Sequence, residues 1–544
     1  MRLAGVGQGE GLGGEDVDPW AAVLGGEDAL RSRLDLAGMS DGAACECLVP
    51  AFAGCDVPLE GLCVLAPYGG AEKGPLAPFW QAVAAEIAAA AEAAHPSFAG
   101  LNAGVRGALE VALAERVRAL TEPVLRAHFL RDGGGDAAAF LGGVMADGGK
   151  LLTRFYPVLM RKLGVLRSDG IAALGAVCDA VASEGLCPET AGAGLSDPHQ
   201  GGRSVVSLTE AGRTLYYKPR PLAIDVAFGG VVERTNELVA LPLTLADIAP
   251  RDGFGFAGDV KRADCEDLSG VARFYRRLGT LIAAAQALRM GDLTCDNVIA
   301  AGDCPVIIDL ETVLLPRPRW QAVDPDPIGG SFLLPLDAPN GAAISAVTAR
   351  SGPDAARASM PQLAGVPVGA VDFVDEIVAG YSEAIAVLGA EGPGLLDAFN
   401  GVVNRWPLRP TRLYNAFLTR LAQPVALTDG AAEGLALEPL ARGLLPYADT
   451  SARPFLAPLL VDEFRQLERG DIPYFTTFCD SRDLVLSTGD RLTDFFDRSG
   501  LETAAAEWPV LDADVQDAGA QRIRQLIAAD LRRAHSEPSQ TSRP

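Results

Sequence analysis

"GDLTCDNVIAAGDCPVIIDLE" occupies positions 291–311. Asp292 is followed five residues later by Asn297, and Asp309 closes an apolar run twelve further on. Two short apolar runs framed by two acids and an amide have the layout of a metal–phosphate site. Phosphoryl transfer from ATP needs a lysine on the phosphates, Mg²⁺ ligands bridging them and a carboxylate for the acceptor's hydroxyl proton. Protein kinases place the base Asp five residues before a metal-binding Asn, and a second metal-binding Asp at a later strand end. Lys218, in "LYYKP", ends an expected strand upstream, so the order is Lys, Asp, Asn, Asp. The pair Asp292 and Asn297 also reads as a cap and turn after a long helix. Lys218 reads equally as a surface lysine and Asp309 as a turn residue. The glycine loop G-x-G-x-x-G of protein kinases is missing; "DPHQGGRSV" stands near its place, and Gly201 and Gly202 would let backbone approach phosphate.

Outward from this stretch, the pattern changes twice. Residues 1–75 are Gly-rich and irregular. Residues 76–190 read as helical, with apolar residues at i, i+3, i+4 and i+7 in "FWQAVAAEIAAAAEAA" and "RGALEVALAERVRALTEPVLRAHFL". A helix is expected to start at an N-cap of Ser168 and Asp169 and stop at Gly185. Residues 191–345 hold a strand–turn–strand in "GGRSVVSLTEAGRTLYYKPRPL", a helix from Ile224 to Leu241, a loop "APRDGFGFAGDV", the helix "LSGVARFYRRLGTLIAAAQALRM" and the buried strand in "CPVIIDLE". Residues 346–530 are read as mostly helical, broken by "VVNRWPLRPTRLYN", and 531–544 as a disordered tail.

Composition sets limits. The chain has 544 residues, two or three domains' worth, with 49% apolar and 21% charged residues. A net charge of −24 argues against nucleic acid as the main partner. No apolar run reaches membrane-spanning length and the N-terminus has no signal-peptide core, so a cytoplasmic protein is expected. Ten cysteines without a C-x-x-C pair and four histidines make zinc unexpected; reduced, mostly buried thiols are the better reading.

Four blocks, "SDPHQGGRSVVSL…LYYKPRPLAID", "RFYRRLGTLIAAAQALRMGDLTCDNVIAAGDCPVIIDLETVL", "RWPLRPTRLYNAFL" and "LVDEFRQLERGDIPYF", resemble in order the dehydratase domain of class II lanthipeptide synthetases, the LanM type. The resemblance runs from about residue 85 to 530. It implies an α+β fold: a decorated bilobal core like that of lipid and protein kinases, with a large helical N-terminal region and helical C-terminal segments. It implies an enzyme that phosphorylates Ser and Thr of a ribosomal precursor peptide (leader plus core) with ATP and Mg²⁺. Phosphate is then eliminated to leave dehydroalanine or dehydrobutyrine. By the same resemblance, Lys218 is the ATP-phosphate lysine and Asp292 activates the substrate hydroxyl. Asn297 and Asp309 hold Mg²⁺, with Glu311 nearby. Arg405 and Thr411 belong to the elimination step, followed by Tyr414; Asp197 and His199 match a D-P-H motif, and Glu463 an acid before "GDIPYF". The chemistry is consistent: elimination needs a base for the α-proton and a cation for the departing phosphate, which a planar guanidinium can hold.

The chain departs from the family pattern D-x-H-x-E-N, with Thr294 at the His and Asp296 at the Glu. No cyclase zinc ligands follow Cys479, so the expectation is either a stand-alone dehydratase whose cyclase is a separate protein or a pathway in which ring formation is not the goal. Two rivals stay open: a peptide kinase without elimination, and a pseudokinase-like scaffold that binds the precursor peptide.

Overall fold

A computed structural model describes residues 74–536, apart from 147–148, 322–325, 337–340, 353–356, 448–449 and 509–512. The expectations for residues 1–73, including Cys45, Cys47, Cys55 and Cys63, and for 537–544 lie outside the described residues. The fold is α+β, with several small antiparallel sheets among the helices. In chain order the principal helices are α1 (Ala77–Ala94), α2 (Ala103–Arg131), α3 (Pro157–Ser183), α4 (Ala223–Asn236), α5 (Leu268–Ala287), α6 (Val374–Glu391), α7 (Thr411–Leu421), α8 (Gly430–Arg442), α9 (Arg453–Glu468), α10 (Gly500–Glu507) and α11 (Ala513–Ser536). The chain forms two compact units. The first takes the described residues up to Pro219 with Leu408–Tyr474 and Leu486–Asp490, and the second takes the rest.

In the first unit α1 packs on α2 and α3. Its apolar stripe buries Phe79, Trp80, Val83 and Ile87 completely, while Glu86 receives both Arg167 Nη2 (2.7 Å) and Nε (3.1 Å) from α3. Asn102 starts α2 by accepting from the Gly104 N–H at 2.7 Å. The helix expected to begin at Ser168 is instead the second half of α3, continuous from Pro157. The Ser168 hydroxyl bonds back to the Val165 carbonyl (2.9 Å) and Asp169 Oδ1 meets Arg469, so both capping side chains are engaged part-way along the helix rather than at its start. Gly185, at φ +64°, follows the helix end as expected.

Strands β1 (Thr190–Gly192), β2 (Val206–Glu210) and β3 (Arg213–Lys218) form an antiparallel meander. Ala211 and Gly212, both at positive φ, make the tight β2–β3 turn that matches strand twist. Helices α7, α8 and α9 complete this unit. Asp462, on α9, accepts from Ser487 N (2.9 Å) and Oγ (2.5 Å), which binds the excursion 486–490 to it.

The second unit is built on α5 and α6. A Cβ on Gly279 would lie 2.1 Å from the Ile377 carbonyl oxygen, and one on Gly380 1.9 Å from that of Arg276. Bare backbone at both positions lets these helices touch. Phe228, Phe274, Leu278, Ile377 and Ile385 fill the core around them. Helix α4 stops at Asn236, short of the expected Leu241, because the Asn236 amide bonds both N–H (2.7 Å) and C=O (2.9 Å) of Leu243. The expected loop 249–260 contains the hairpin β4 (Ile248–Pro250) and β5 (Gly255–Gly258). Its Gly and Pro content hid the pairing. A second hairpin joins β6 (Val298–Ala301) to β7 (Cys304–Ile307), whose residues are all buried, as their apolar run indicated. After the short pair β8 (Gln362–Leu363) and β9 (Val366–Pro367), a four-stranded antiparallel sheet forms from β10 (Val403–Trp406), β11 (Phe475–Phe478), β12 (Leu484–Val485) and β13 (Arg491–Leu492). The mostly helical reading of 346–530 missed this sheet because its partners are far apart in sequence. Residues 531–536, expected in the disordered tail, continue α11, where Leu531 packs on the core and Arg533 donates to the Leu336 carbonyl at 3.1 Å.

Among the described residues Cys178, Cys265, Cys304 and Cys479 are buried free thiols, Cys295 is half-buried and Cys187 exposed. No described helix is long and apolar enough to cross a membrane.

Candidate functional site

The second unit gathers five of the expected site residues. Helix α5 ends at Ala287, and the chain then passes through Arg289 and Asp292 at φ +48° and +55°. Side chains tend to avoid this left-handed region, though Asp is among the residues that tolerate it. Neighbours hold the conformation. The Thr312 hydroxyl donates to the Gly291 carbonyl (2.6 Å), the Thr312 carbonyl accepts the Gly291 N–H (3.0 Å), and the Asn297 amide donates to the Asp292 carbonyl (2.6 Å). Thus the five-residue spacing of Asp292 and Asn297 closes a turn that fixes the backbone of Asp292. Asp292 is exposed to solvent at this turn. Partial desolvation there pushes it up to about 6; Arg405 pulls it down, and Asp309, Glu311 and Asp296 push it further up.

Asp309 and Glu311 lie just past the end of β7. Arg220 donates to Asp309 Oδ1 at 2.7 Å and to Asp225 Oδ2 at 2.7 Å, and its Nε lies 3.7 Å from Glu311. Arg405, on β10, pairs with the Glu311 carboxylate, while its backbone N–H bonds the Glu311 carbonyl at 2.9 Å. Buried Asn404 clamps the main chain of Val313 next to it. Burial opposes the charge of Arg220, but Asp309, Asp225 and Glu311 outweigh it and hold the guanidinium well above its usual range. The result is a chain Asp309–Arg220–Glu311–Arg405 beside Asp292. Sequence reasoning missed Arg220 and Asn404; the only signal was Arg220 standing two residues beyond Lys218. Asn297 and Asp309 offer amide and carboxylate oxygens, the hard donors Mg²⁺ prefers. Among the described residues no group of three His, Cys, Asp or Glu could hold a metal alone. Any ion here would therefore complete its shell with phosphate and water.

The first unit carries the other six. Lys218 ends β3 and is 7% exposed. Asp197 accepts from the Asn415 amide at 3.4 Å. Thr411 is the first residue of α7, one turn before Asn415 on the same helix face. Tyr414 and Glu463 are inside the core. Glu463, at 0% exposure, accepts from Tyr414 Oη (2.8 Å) and from Arg409 Nε (2.6 Å) and Nη2 (3.2 Å). Burial raises the Glu463 carboxyl, and Arg409 and Tyr414 lower it. These two expected catalytic residues hold Arg409, which sequence reasoning overlooked, and present no surface to a substrate.

His199 pairs through its backbone with Arg203, and its Nδ1 lies 2.8 Å from the Ile472 carbonyl oxygen. Gly201 and Gly202, expected near phosphate, instead donate their N–H groups to the Asp471 carboxylate at 2.6 and 2.8 Å. An acid of the same unit fills the anion-binding concavity that the two left-handed glycines create.

A family model described as a domain of unknown function (DUF4135) matches residues 156–331 and 343–478, more than half of the chain, and the chain belongs to that family. Over 121 residues it is 27% identical to the lacticin 481/lactococcin biosynthesis protein LcnDR2 of Lactococcus lactis subsp. lactis. That stretch is 21% of this chain and 13% of the relative's length.

Proposed function

We propose that this protein is a peptide dehydratase of lanthipeptide-type biosynthesis, with a decorated kinase-like core that uses ATP and Mg²⁺. The observation that carries the reading is Arg405 tied to Glu311 within the electrostatic reach of Asp292. One unit thus holds both an acid for phosphorylation and a guanidinium for the phosphate to be expelled. The named function of the LcnDR2 relative supports the pathway.

In the proposed first step Asp292 accepts the Ser or Thr hydroxyl proton as that oxygen attacks the γ-phosphorus of ATP, and ADP leaves. Lys218 neutralises ATP phosphate charge. Asn297 and Asp309 would hold Mg²⁺, which would supply charge neutralisation on the phosphates. In the second step a base removes the peptide α-proton, the Cβ–O bond breaks and phosphate departs with its electron pair. Arg405 stabilises that leaving charge, and His199 is the candidate for proton transfer. Asp197, Thr411 and Asn415 serve this step by hydrogen bonding. The substrate is a precursor peptide met in the cytoplasm.

One observation favours a second reading, a scaffold that binds the peptide without modifying it. Thr294, where the resemblance expects an imidazole, lies in a backbone bridge with Ser345 and supplies no ring. Mass spectrometry of a candidate precursor with ATP and Mg²⁺ separates the readings. Water loss with wild type, phosphopeptide with Arg405→Ala and unchanged peptide with Asp292→Ala are expected. Tight peptide binding with no mass change in any of the three overturns the dehydratase.

A further inference from the structure

The motif "GDIPYF" has no role in the chemistry above, yet it grips the loop that carries Asp197 and His199. Four contacts, all within the first unit, do this. The Ile472 N–H donates to the Pro198 carbonyl at 2.9 Å. The Ile472 carbonyl lies 2.8 Å from His199 Nδ1. The Asp471 carboxylate, 1% exposed, takes the N–H groups of Gly201 and Gly202, one on each oxygen. The Tyr474 ring meets the His199 ring edge-on at 5.2 Å between centroids. Arg116 stands behind Asp471 at 3.7 Å and also donates to the Gly202 carbonyl at 3.4 Å. A Cβ on Gly202 would fall 1.7 Å from the Arg116 guanidinium, and at φ +76° any side chain there would strain the backbone.

A backbone carbonyl can only accept. The nitrogen facing it must carry the proton, and in the neutral ring the lone pair is then on Nε2. We propose that Asp471 and the Ile472 carbonyl are positioning elements for His199: Asp471 fixes the loop through Gly201 and Gly202, and the carbonyl locks the ring as its Nδ1–H tautomer, so that Nε2 is the proton-transfer atom. The catalytic half of this statement rests on the function proposed above; the tautomer does not.

The test is ¹⁵N NMR of histidine-labelled full-length protein, with the His199 signals identified by their loss in His199→Gln. Wild type should show a protonated Nδ1 and an unprotonated Nε2. A wild-type Nε2–H tautomer overturns the proposal, with no variant needed. Asp471→Asn turns an NH₂ towards one glycine N–H, and the His199 signals should then average between tautomers. Precursor dehydration should fall ~100-fold, the size of effect a misplaced catalytic group produces, with KM for ATP unchanged. Asp471→Asn combined with His199→Gln should be no slower than His199→Gln alone. Retention of the Nδ1–H signal in Asp471→Asn, or additive losses in the double variant, refutes the positioning role. The expected tautomer in a protein that leaves every peptide unmodified would sink the dehydratase reading and leave the geometric claim standing.

Discussion

The raised Asp292 carboxyl makes the sharpest prediction. If Asp292 must be ionised to take the hydroxyl proton, an apparent pKa of about 6 sets the acid limb of phosphoryl transfer. A single group at that value is about 91% ionised at pH 7 and about 9% at pH 5, so the rate should drop roughly tenfold between them. Arg405 pulls Asp292 down, against Asp309, Glu311 and Asp296. Removing it should move the limb to higher pH. The Arg405→Ala variant is convenient here, because phosphopeptide should accumulate and report phosphoryl transfer alone. The carboxyl is open to solvent, so added salt should screen the field and reduce the difference between the two proteins. The assay is single-turnover phosphopeptide formation followed by mass spectrometry from pH 5 to 8. A flat wild-type profile, or a limb that moves to lower pH in Arg405→Ala, would refute the assignment of Asp292 as the base.

Asp292 also bears on stability. Its folded-state pKa lies above the unfolded value, so folding favours the protonated form, and ionisation costs stability as pH rises through the folded pKa. Asp292→Asn should therefore be more resistant to urea than wild type at pH 7, with the difference closing towards pH 4; equal resistance at both pH values contradicts this. Glu463→Gln removes the buried partner of Arg409, and breaking such a pair costs ~3–5 kcal/mol. A loss below about 1 kcal/mol in urea titration would show that the pair is not structural. Gly380→Ala places a methyl group against the Arg276 carbonyl and should cost at least ~1–3 kcal/mol by forcing α5 and α6 apart. Unchanged thermal unfolding would mean the helices are not locked there.

Much of the architecture could be read from short-range pattern. Apolar spacing marked α1 and α2, and the apolar runs on either side of Thr209–Gly212 announced β2 and β3, although the turn itself is only Ala211 and Gly212. The 291–311 stretch is informative because a β-hairpin brings Asn297 and Asp309 near each other within a few residues of Asp292. Local pattern misled at Ser168, where a capping pair is engaged inside a helix by a carbonyl one turn back and by Arg469, just past the end of α9. It said nothing of Arg409, the buried partner that Glu463 meets in the core.

What the sequence could not reveal was the choice of partner. Arg405 and Glu311 are 94 residues apart, and Asp471 is 270 from Gly201. Spacing carries no information at such separations, because many arginines and acids are equally available. Asp309 facing Arg220, and the two glycine N–H groups spent on Asp471 rather than left open to phosphate, are decided only when packing brings distant backbone together. Residue types and their order set which chemistry is available to this protein. Tertiary contacts decide which atoms are exposed, which are paired and which nitrogen of His199 holds the proton, because burial and hydrogen bonding act through space and not along the chain.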